Sequence, residues 1–440
     1  MNGTHDPGRT SWVDSAQGHP DFPIQNLPYG VFRRTGTKGL PSVGVAIGDQ
    51  ILELAAAAEV AGFTGPAAEA ARASAAPSLN PLMALGPGHW SALRLQISTF
   101  LGSESPAFRT NRPEAQRVLV PMAEAELLLP AQIGDYTDFY ASVYHATNVG
   151  SMFRPDNPLL PNYKWVPIGY HGRASSIVPA GTPVRRPQGQ IKDPNAEIPV
   201  FGPSRALDYE MEVGCFIGRG NPLGTPVLIE KAEEHLFGLC LVNDWSARDL
   251  QSWEYQPLGP FLSKNFATSV SPWVVTLEAL EPYRVPAFGR PAGDPAPLPY
   301  LDSTDNRLRG GIDITVEVLL ATARMRKEGL PAHRLSRGTM ADLYWTLAQM
   351  FTHHTSNGCN LQPGDLFATG TISGSGRDAL GCLLELTRRG TEPVTLPTGE
   401  TRKFLEDGDE VIMRGYCERS GAVRIGFGEC RGIVVGDSPA

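Results

Sequence analysis

Acidic residues recur at every second position of LDYEMEVGCFIG, residues 207–218. If this segment forms a strand, Asp208, Glu210 and Glu212 share one face, because side chains two positions apart point the same way. One interpretation is a polar face in water. The alternative is a buried pair of carboxylates about 6.7 Å apart along the strand, which repel each other by about 2–3 kcal/mol at an effective dielectric of about 20. A divalent cation such as Ca²⁺ or Mg²⁺, which prefers oxygen ligands, would remove that repulsion.

A second polar pattern lies in LCLVNDWSARDLQSWEYQPLGPF, residues 239–261. We expect an apolar strand to end near Asp244 and a helix to begin there. Arg248, Gln251 and Tyr255 follow at intervals that place them on one helical face with Asp244. The pattern indicates either a polar binding surface or a solvated helix face with Asp244 as its N-cap.

The segment DYTDFYASVYHATN, residues 135–148, combines acids, tyrosines and a histidine. Asp138 and Tyr140 would share a face if they lie on a strand, and His145 follows shortly afterwards. A single histidine is more often a hydrogen-bonded structural residue than a base. Near a group of carboxylates it becomes a candidate proton acceptor, because imidazole titrates close to neutral pH. A base also needs an orienting partner, for which Glu385 in the apolar segment CLLELT is a candidate.

Two further patterns carry less chemical information. GTISGSG, residues 370–376, lacks the lysine and the spacing of a P-loop, so we expect no phosphate site there. THHTSNGC, residues 352–359, contains adjacent histidines that would point to different sides of a helix. Because no HExxH motif accompanies them, we expect no zinc site in this segment.

The composition is that of a globular protein. The chain has 440 residues, of which 41% are hydrophobic and 19% charged. Its net charge of −8 provides no basic surface for a phosphate backbone, so we expect no nucleic-acid partner. Six scattered cysteines without a CxxC motif indicate reduced thiols. The N-terminal segment is polar and no apolar run is long enough to span a membrane, which predicts a cytoplasmic protein.

The pattern of the chain changes near residues 120–130. Before that point, residues 42–54 are typical of a hairpin and 89–101 of a helix. Beyond it, short apolar segments separated by Gly and Pro predict a mainly β domain. Within that domain we expect a long helix at 338–354 and a proline-rich surface loop at 282–301. The sequence therefore predicts two domains, residues 1–125 and 126–440.

Several long motifs resemble the fumarylacetoacetate hydrolase family. They include DYTDFYASVYHATNVGSMFR, PIGYHGRASSIV, LDYEMEVGCFIG, GCNLQPGDLFATGTISGS and the segment VNDWSARDLQSWEYQPLGPFLSKNFATSVSPWV. HPDFPIQNLPYGVF, residues 19–32, resembles the N-terminal segment of the family. The resemblance covers nearly the whole chain. It implies a small N-terminal SH3-like barrel, a larger C-terminal β-roll domain with a few helices, and a homodimer.

The resemblance also implies roles for individual residues. The implied metal region, which would hold Ca²⁺ and/or Mg²⁺, comprises Asp138, Glu210, Glu212, Asp244, Lys264 and Thr268. The implied catalytic residues are His145 as the base, Glu385 as its orienting acid, and the oxyanion-stabilising group Arg248, Gln251 and Lys264. The implied substrate contacts are Tyr140, Arg154, Tyr170, Gln251, Tyr255 and Thr371. Ala267 departs from the family pattern, which has glycine at this position in animal members.

The implied reaction is the metal-dependent hydrolysis of a carbon–carbon bond in 4-fumarylacetoacetate, giving fumarate and acetoacetate. This is the last step of tyrosine and phenylalanine breakdown. Two alternatives stay open from the residues alone. The acidic cluster could serve a related hydratase, decarboxylase or acylpyruvate hydrolase that takes small 2-oxo acids. It could also be a structural Ca²⁺ site in a binding protein, although His145, Glu385 and Lys264 would then have no role.

Overall fold

The computed structural model describes residues 2–436. The N-terminal region consists of one antiparallel sheet, in the order β4-β3-β2-β1-β5, and short helices around it. Its elements are β1 Tyr29–Arg34, β2 Ser42–Ile47, β3 Gln50–Glu53, α1 Leu54–Val60, α2 Gly65–Ala73, α3 Asn80–Met83, α4 Pro87–Leu101, α5 Pro106–Thr110, α6 Arg112–Arg117, β4 Leu119–Pro121 and β5 Ala125–Leu128.

Both secondary-structure predictions for this region are confirmed. The hairpin is formed by β2 and β3, which pair in antiparallel register around a turn at Gly48. Gly48 has φ of 58°, a left-handed conformation that favours glycine. The predicted helix is α4, which begins with Pro87 in its first turn and buries the indole of Trp90.

The first half of the C-terminal region consists of short strands and two helices. Its elements are β6 Tyr136–Phe139, α7 Val143–Phe153, β7 Gly169–His171, β8 Ile177–Pro179, β9 Val184–Arg185, β10 Gln188–Ile191, β11 Val200–Pro203, β12 Leu207–Asp208, β13 Met211–Ile217, β14 Leu236–Asp244, β15 Ser246–Ala247, α8 Arg248–Glu254, β16 Thr268–Val270 and β17 Val275–Thr276.

The second half continues in the same manner. Its elements are β18 Arg284–Val285, α9 Thr304–Arg309, β19 Gly311–Ile312, β20 Thr315–Ala321, α10 Ala323–Lys327, β21 His333–Thr339, α11 Leu347–Thr355, β22 Leu366–Ala368, α12 Leu383–Leu386, β23 Val394–Thr395, β24 Thr401–Arg402, β25 Glu410–Cys417 and β26 Ile425–Val435. Nine short 3₁₀ turns lie among the elements of the described chain. The prediction of a mainly β architecture is confirmed.

Two large sheets dominate the C-terminal region. The first has the order β7-β6-β22-β13-β14-β16-β8, with β17 also paired to β14. The second has the order β21-β20-β25-β26-β9. Neither shares a strand with the N-terminal sheet, and within residues 2–436 the two regions meet at a single β-bridge in which Tyr29 of β1 and Val274 exchange backbone hydrogen bonds.

The first large sheet is buried on both faces. Val213 and Cys215 of β13 belong to a core cluster shared with the second large sheet. Phe216 of β13 and Val242 of β14 belong to another cluster, which includes the helices of the N-terminal region. Because both faces are covered, polar side chains on these strands are removed from water wherever they do not border a cavity.

The predicted helix at 338–354 is wrong over its first half. Residues 333–339 form β21, where Gly338 pairs with Val316 of β20. The helix α11 begins only after Thr346, whose hydroxyl accepts a hydrogen bond from the backbone N–H of Gln349 in a capping box. Pairing with β20 accounts for residues 338–339, and a 3₁₀ turn at Met340–Asp342 then lies between β21 and the cap.

The proline-rich segment at 282–301 is largely irregular, as predicted, but it is anchored to the core. The guanidinium of Arg290 lies 4.2 Å from the ring centre of Tyr344 and 4.5 Å from that of Trp345. Asp294 accepts hydrogen bonds from Lys164 and from the hydroxyl of Tyr344. The segment therefore packs on Lys164 and on the rings of Tyr344 and Trp345.

Candidate active site

Four buried carboxylates meet at the end of the first large sheet. They belong to Asp138 in β6, Glu210 just before β13, Glu212 in β13 and Asp244 at the end of β14. One oxygen of each lies within 4.8 Å of those of the other three. Because side chains alternate along a strand, Glu212 lies on the same face of β13 as Phe216, and Asp244 lies on the same face of β14 as Val242. These two acids therefore share one face of the sheet.

The polar interpretation of residues 207–218 as a face in water is therefore wrong. The strand is also interrupted, since β12 ends at Asp208 and β13 begins at Met211. Asp208 consequently points away from the cluster and pairs with Arg248 instead. Both faces of the segment are buried, from Leu207 to Ile217.

The N-cap interpretation of Asp244 is wrong as well. Asp244 ends the strand β14, and the helix α8 begins four residues later at Arg248. The predicted neighbours Arg248 and Gln251 do meet, with 3.2 Å between Arg248 Nη1 and Gln251 Oε1. The side chain of Asp244 accepts hydrogen bonds from Tyr170 at 2.9 Å and from Thr268 at 3.1 Å.

The carboxylate cluster is short of positive charge. Asp138 Oδ1 and both carboxylate oxygens of Glu212 are buried without a hydrogen-bond partner among the described residues. Burial and the neighbouring Asp244 raise the pKa of Asp138, and burial with Asp138 and Asp244 raises the pKa of Glu212. Oxygen ligands with unpaired acceptors and mutual repulsion fit a hard divalent cation.

Two cations lie on one side of the cluster. The ammonium of Lys264 donates to Glu210 at 2.5 Å and to Asp244 at 2.7 Å. Arg248 Nη1 donates to Glu210 at 2.7 Å. Burial alone would raise the pKa of Glu210, but Lys264 and Arg248 lower it below its usual value. Burial opposes the charge of Lys264 too, yet Asp244 and Glu210 raise its pKa. The ammonium therefore stays protonated and offers no lone pair to a metal.

His145 forms a dyad with Glu385. His145 lies in the first turn of α7, and its Nδ1 is 2.7 Å from Glu385 Oε2. Three further donors lie near the same carboxylate: Asn148 at 2.8 Å, Ser373 at 2.7 Å and the thiol of Cys382 at 3.2 Å. Burial opposes the charge of Glu385, but His145 and these hydrogen bonds lower its pKa. An ionised Glu385 accepts from Nδ1, which leaves His145 Nε2 to accept a proton.

A cavity of about 890 Å³ joins the dyad to the carboxylate cluster. Asp138, Glu210, Lys264 and His145 line it. All the expected substrate contacts line it as well, namely Tyr140, Arg154, Tyr170, Gln251, Tyr255 and Thr371. The side chains of Glu212, Asp244 and Glu385 do not line the cavity. Asp244 is hydrogen-bonded to Tyr170 and Lys264, and Glu385 to His145, and these three partners do line it.

Two family models together match most of the chain. The model described as Fumarylacetoacetase N-terminal matches residues 25–130, and the model described as Fumarylacetoacetate (FAA) hydrolase C-terminal matches residues 136–435. The chain belongs to the fumarylacetoacetate hydrolase family.

Curated relatives extend this finding over nearly the full length. The chain is 52% identical to the fumarylacetoacetase of Caenorhabditis elegans over 96% of this chain and 98% of the relative. It is 49% identical to that of Bos taurus, over 94% and 96%. A solved fumarylacetoacetate hydrolase from Exiguobacterium antarcticum has the same fold, with a TM-score of 0.50 at 16% identity over 93% of this chain and 99% of that one.

In this member of the fumarylacetoacetate hydrolase family, several polar residues contact the site although the sequence predicted no role for them. They are Asp208, Asn148, Ser373, Cys382 and Tyr163, whose hydroxyl donates to the backbone oxygen of Tyr140 at 2.8 Å. Asn148 is three residues after His145, a helical spacing that could have indicated a shared partner. Cys382 is likewise three residues before Glu385, whereas Ser373 lies twelve residues before it and leaves no local signal.

The six cysteines are all free, and five of them are buried. Within residues 2–436, helices are too short or too polar to cross a lipid bilayer.

Proposed function

We propose that the chain hydrolyses the carbon–carbon bond of 4-fumarylacetoacetate to give fumarate and acetoacetate. The observation that carries this proposal is a single cavity onto which both a His–Glu dyad and a carboxylate cluster open. The likeness to curated fumarylacetoacetases over nearly the whole chain supports the choice of substrate.

The carboxylate cluster would hold a divalent cation, Ca²⁺ or Mg²⁺. The four ligands would be Asp138, Glu210, Glu212 and Asp244, whose oxygens already lie within 4.8 Å of one another. Thr268 orients Asp244, and Lys264 serves as a countercharge rather than a ligand. When bound, the cation would act as a Lewis acid that stabilises negative charge on the oxygens of a diketone.

His145 is the general base of the proposed reaction. Glu385 holds Nδ1, so Nε2 removes a proton from water as the water attacks the carbonyl carbon. General-base assistance of this kind contributes about 10²–10⁴-fold to the rate. The tetrahedral intermediate then collapses with cleavage of the carbon–carbon bond, and the acetoacetate carbon leaves as an enolate whose negative charge must be stabilised. The proton held at His145 Nε2 is then delivered to that carbon, which gives acetoacetate and restores the base.

Arg248, Gln251 and Lys264 would stabilise the oxyanion formed by that attack. Arg248 lines the cavity, and its Nη2 is buried with no hydrogen-bond partner among the described residues, so that nitrogen retains an unused donor. Thr371 Oγ1 is likewise buried without a partner. The remaining contacts with the substrate would come from Tyr140, Tyr170, Tyr255 and the guanidinium of Arg154, which suits a carboxylate.

We also propose the finer architecture that the family resemblance implies. The N-terminal domain, residues 1–125, would be an SH3-like barrel, and residues 126–440 a β-roll that forms a homodimer in the cytoplasm. The boundaries of the two family models, 25–130 and 136–435, support the division into domains.

The test of the proposed function is substrate discrimination. Purified protein with Mg²⁺ is given either fumarylacetoacetate or a small acylpyruvate, and the products are identified by mass spectrometry. We expect fumarate and acetoacetate from the diketone, with kcat/KM at least about 100-fold above that for the acylpyruvate, a difference of about 2.7 kcal/mol in transition-state binding. Preference for the acylpyruvate would assign the site to the related small 2-oxo acid enzymes.

A further inference from the structure

Asp208 is a buried carboxylate to which the proposed reaction assigns no step. It lies at the end of β12 with a fully buried side chain. Four N–H groups donate to it: Tyr209 N at 2.9 Å and Leu383 N at 2.8 Å to Oδ1, and Leu384 N at 2.9 Å and Arg248 Nε at 2.9 Å to Oδ2. Such complete pairing is what an ionised carboxylate requires when it is removed from water.

One of these bonds fixes the head group of Arg248. With Nε held by Asp208 and Nη1 held by Glu210, the plane of the guanidinium is determined. The remaining nitrogen, Nη2, is the one without a partner among the described residues. Asp208 therefore decides which N–H groups of Arg248 are free for an oxyanion in the cavity.

Two other bonds fix the start of α12, the four-residue helix that carries Glu385. Cys382 precedes this helix and provides no side-chain cap for it. The carboxylate of Asp208, from a distant part of the chain, accepts the N–H groups of Leu383 and Leu384 instead. Glu385 follows directly, so the position of its carboxylate depends on this remote cap.

We propose that Asp208 is a positioning residue for the hydrolysis, because one carboxylate holds both the oxyanion donor Arg248 and the helix that carries Glu385. The proposal rests on the proposed function of the same site. Asp208 is not in the carboxylate cluster whose oxygens lie within 4.8 Å, so it acts without binding the cation.

Loss of Asp208 has a predictable consequence for Arg248. Without the bond to Nε, the guanidinium is held only through Nη1 by Glu210 and Gln251, so it can rotate about that contact and displace Nη2. Oxyanion donors then leave their position, and losing one such donor typically lowers kcat by about 10²–10³-fold. Binding of the cation and of the substrate ground state depends on other residues and should change little.

A matched control exists in the same domain. Asp409 is fully buried, pairs with Arg402 at 2.8 and 3.0 Å, and accepts the backbone N–H of Glu406 at 2.9 Å. Neither Asp409 nor Arg402 lines the cavity. Asp409→Asn therefore reproduces the loss of a buried Asp–Arg pair without touching the site.

The experiment compares Asp208→Asn with Asp409→Asn. The kcat and KM for fumarylacetoacetate are measured, with kcat expressed per metal-binding site. The Kd for Mn²⁺ is measured by calorimetry. Both variants should lower Tm. We expect Asp208→Asn to lower kcat by about 10²–10³-fold, the range of a lost oxyanion donor, with KM and the Mn²⁺ Kd within about threefold of wild type. Asp409→Asn should keep kcat within about threefold of wild type.

A double-mutant cycle with Arg248→Met gives the second readout. Because part of the effect of Asp208 passes through Arg248 and part through α12, Asp208→Asn should slow the Arg248→Met variant by a clearly smaller factor than it slows the wild type. If Asp208→Asn does not fold, Asp208→Ser, whose hydroxyl can still accept one N–H of α12, is measured in the same way. A kcat for the Asp208 variants equal to that of Asp409→Asn, or additive losses in the cycle, would overturn the proposal. A wild-type protein that does not cleave fumarylacetoacetate would instead overturn the proposed function, and this inference with it.

Discussion

At the scale of single residues, the pKa of each buried carboxylate in the site depends on the groups that surround it. Glu385 is surrounded by donors, which lower its pKa and keep it charged beneath His145. Glu212 is as deeply buried but has no hydrogen-bond partner among the described residues, and burial with the neighbouring acids raises its pKa. In the proposed function, the same residue type would therefore orient a base in one position and provide a ligand for a cation in the other.

The first prediction concerns the base. His145→Ala should lower kcat by about 10²–10⁴-fold, the range of general-base assistance, because water then lacks a proton acceptor at Nε2. Binding of a non-hydrolysable diketone, measured by calorimetry, should be retained. His353→Ala, a half-buried histidine that does not line the cavity, is the control and should keep wild-type turnover. Near wild-type kcat for His145→Ala would show that another group is the base.

The second prediction uses the raised pKa values of Asp138 and Glu212. Unfolded carboxyl groups titrate near pH 4, so above that pH the metal-free folded state binds more protons than the unfolded state. The free energy of unfolding of the metal-free protein should therefore fall as pH rises, and saturating Mg²⁺ should remove much of that dependence. Urea denaturation at several pH values, with EDTA or with Mg²⁺, measures both effects.

Glu212→Gln tests the repulsion between the buried carboxylates directly. In EDTA the variant should be more stable than wild type by about 1–3 kcal/mol, because one source of repulsion is removed. In Mg²⁺ it should gain less stability than wild type, because one ligand is lost. Glu234→Gln, at an exposed position, should change neither quantity. A metal-free Glu212→Gln protein that is less stable than wild type would contradict the repulsion.

At the scale of elements, the sequence predicted those elements whose hydrogen bonds lie within their own segment. The hairpin at β2 and β3 and the helix α4 were predicted because their turn and periodicity lie within the segment itself. The helix at 338–354 was overestimated because residues 338–339 end β21, whose partner β20 the segment does not reveal, and because a 3₁₀ turn at Met340–Asp342 follows. The interruption after Asp208, which turns one acid toward Arg248, was likewise set by distant contacts.

The third prediction tests how α7 presents His145. Ser142 caps this helix by accepting the backbone N–H of His145 at 3.1 Å, and its hydroxyl donates to the backbone oxygen of Ser373 at 2.8 Å. Ser142→Ala should lower the free energy of unfolding by about 1 kcal/mol, as is usual for a lost cap. It should also lower kcat, since His145 and Ser373 both shift relative to Glu385.

Ser303→Ala is the matched control for that prediction. Ser303 caps α9 by accepting the N–H of Asn306 at 3.2 Å, and it does not line the cavity. The control should lose a similar free energy of unfolding with no change in kcat. Equal turnover in the two variants would mean that the cap of α7 is purely structural.

At the scale of the whole molecule, the residue types of the site were predictable and their arrangement was not. The acids at 138, 210, 212 and 244 were selected from three separate segments, and the first large sheet brings them together. Strand order and register, which the sequence does not display, make this possible. Glu385 was a candidate partner for His145 from the residues, and the family resemblance implied the same pairing, although the two lie 240 residues apart. The resemblance implied no role for Asp208.

The central claim is that one cavity joins a metal-binding carboxylate cluster to a His–Glu dyad that hydrolyses fumarylacetoacetate. The most direct measurement follows the loss of the diketone absorbance of fumarylacetoacetate with protein treated with EDTA, before and after Mg²⁺ or Ca²⁺ is restored. We predict that chelation lowers the rate by at least about 100-fold, in keeping with several kcal/mol of charge stabilisation, and that the added cation restores it in wild type but not in Asp244→Asn. Full turnover in EDTA, or restoration in Asp244→Asn equal to that of wild type, would contradict the account.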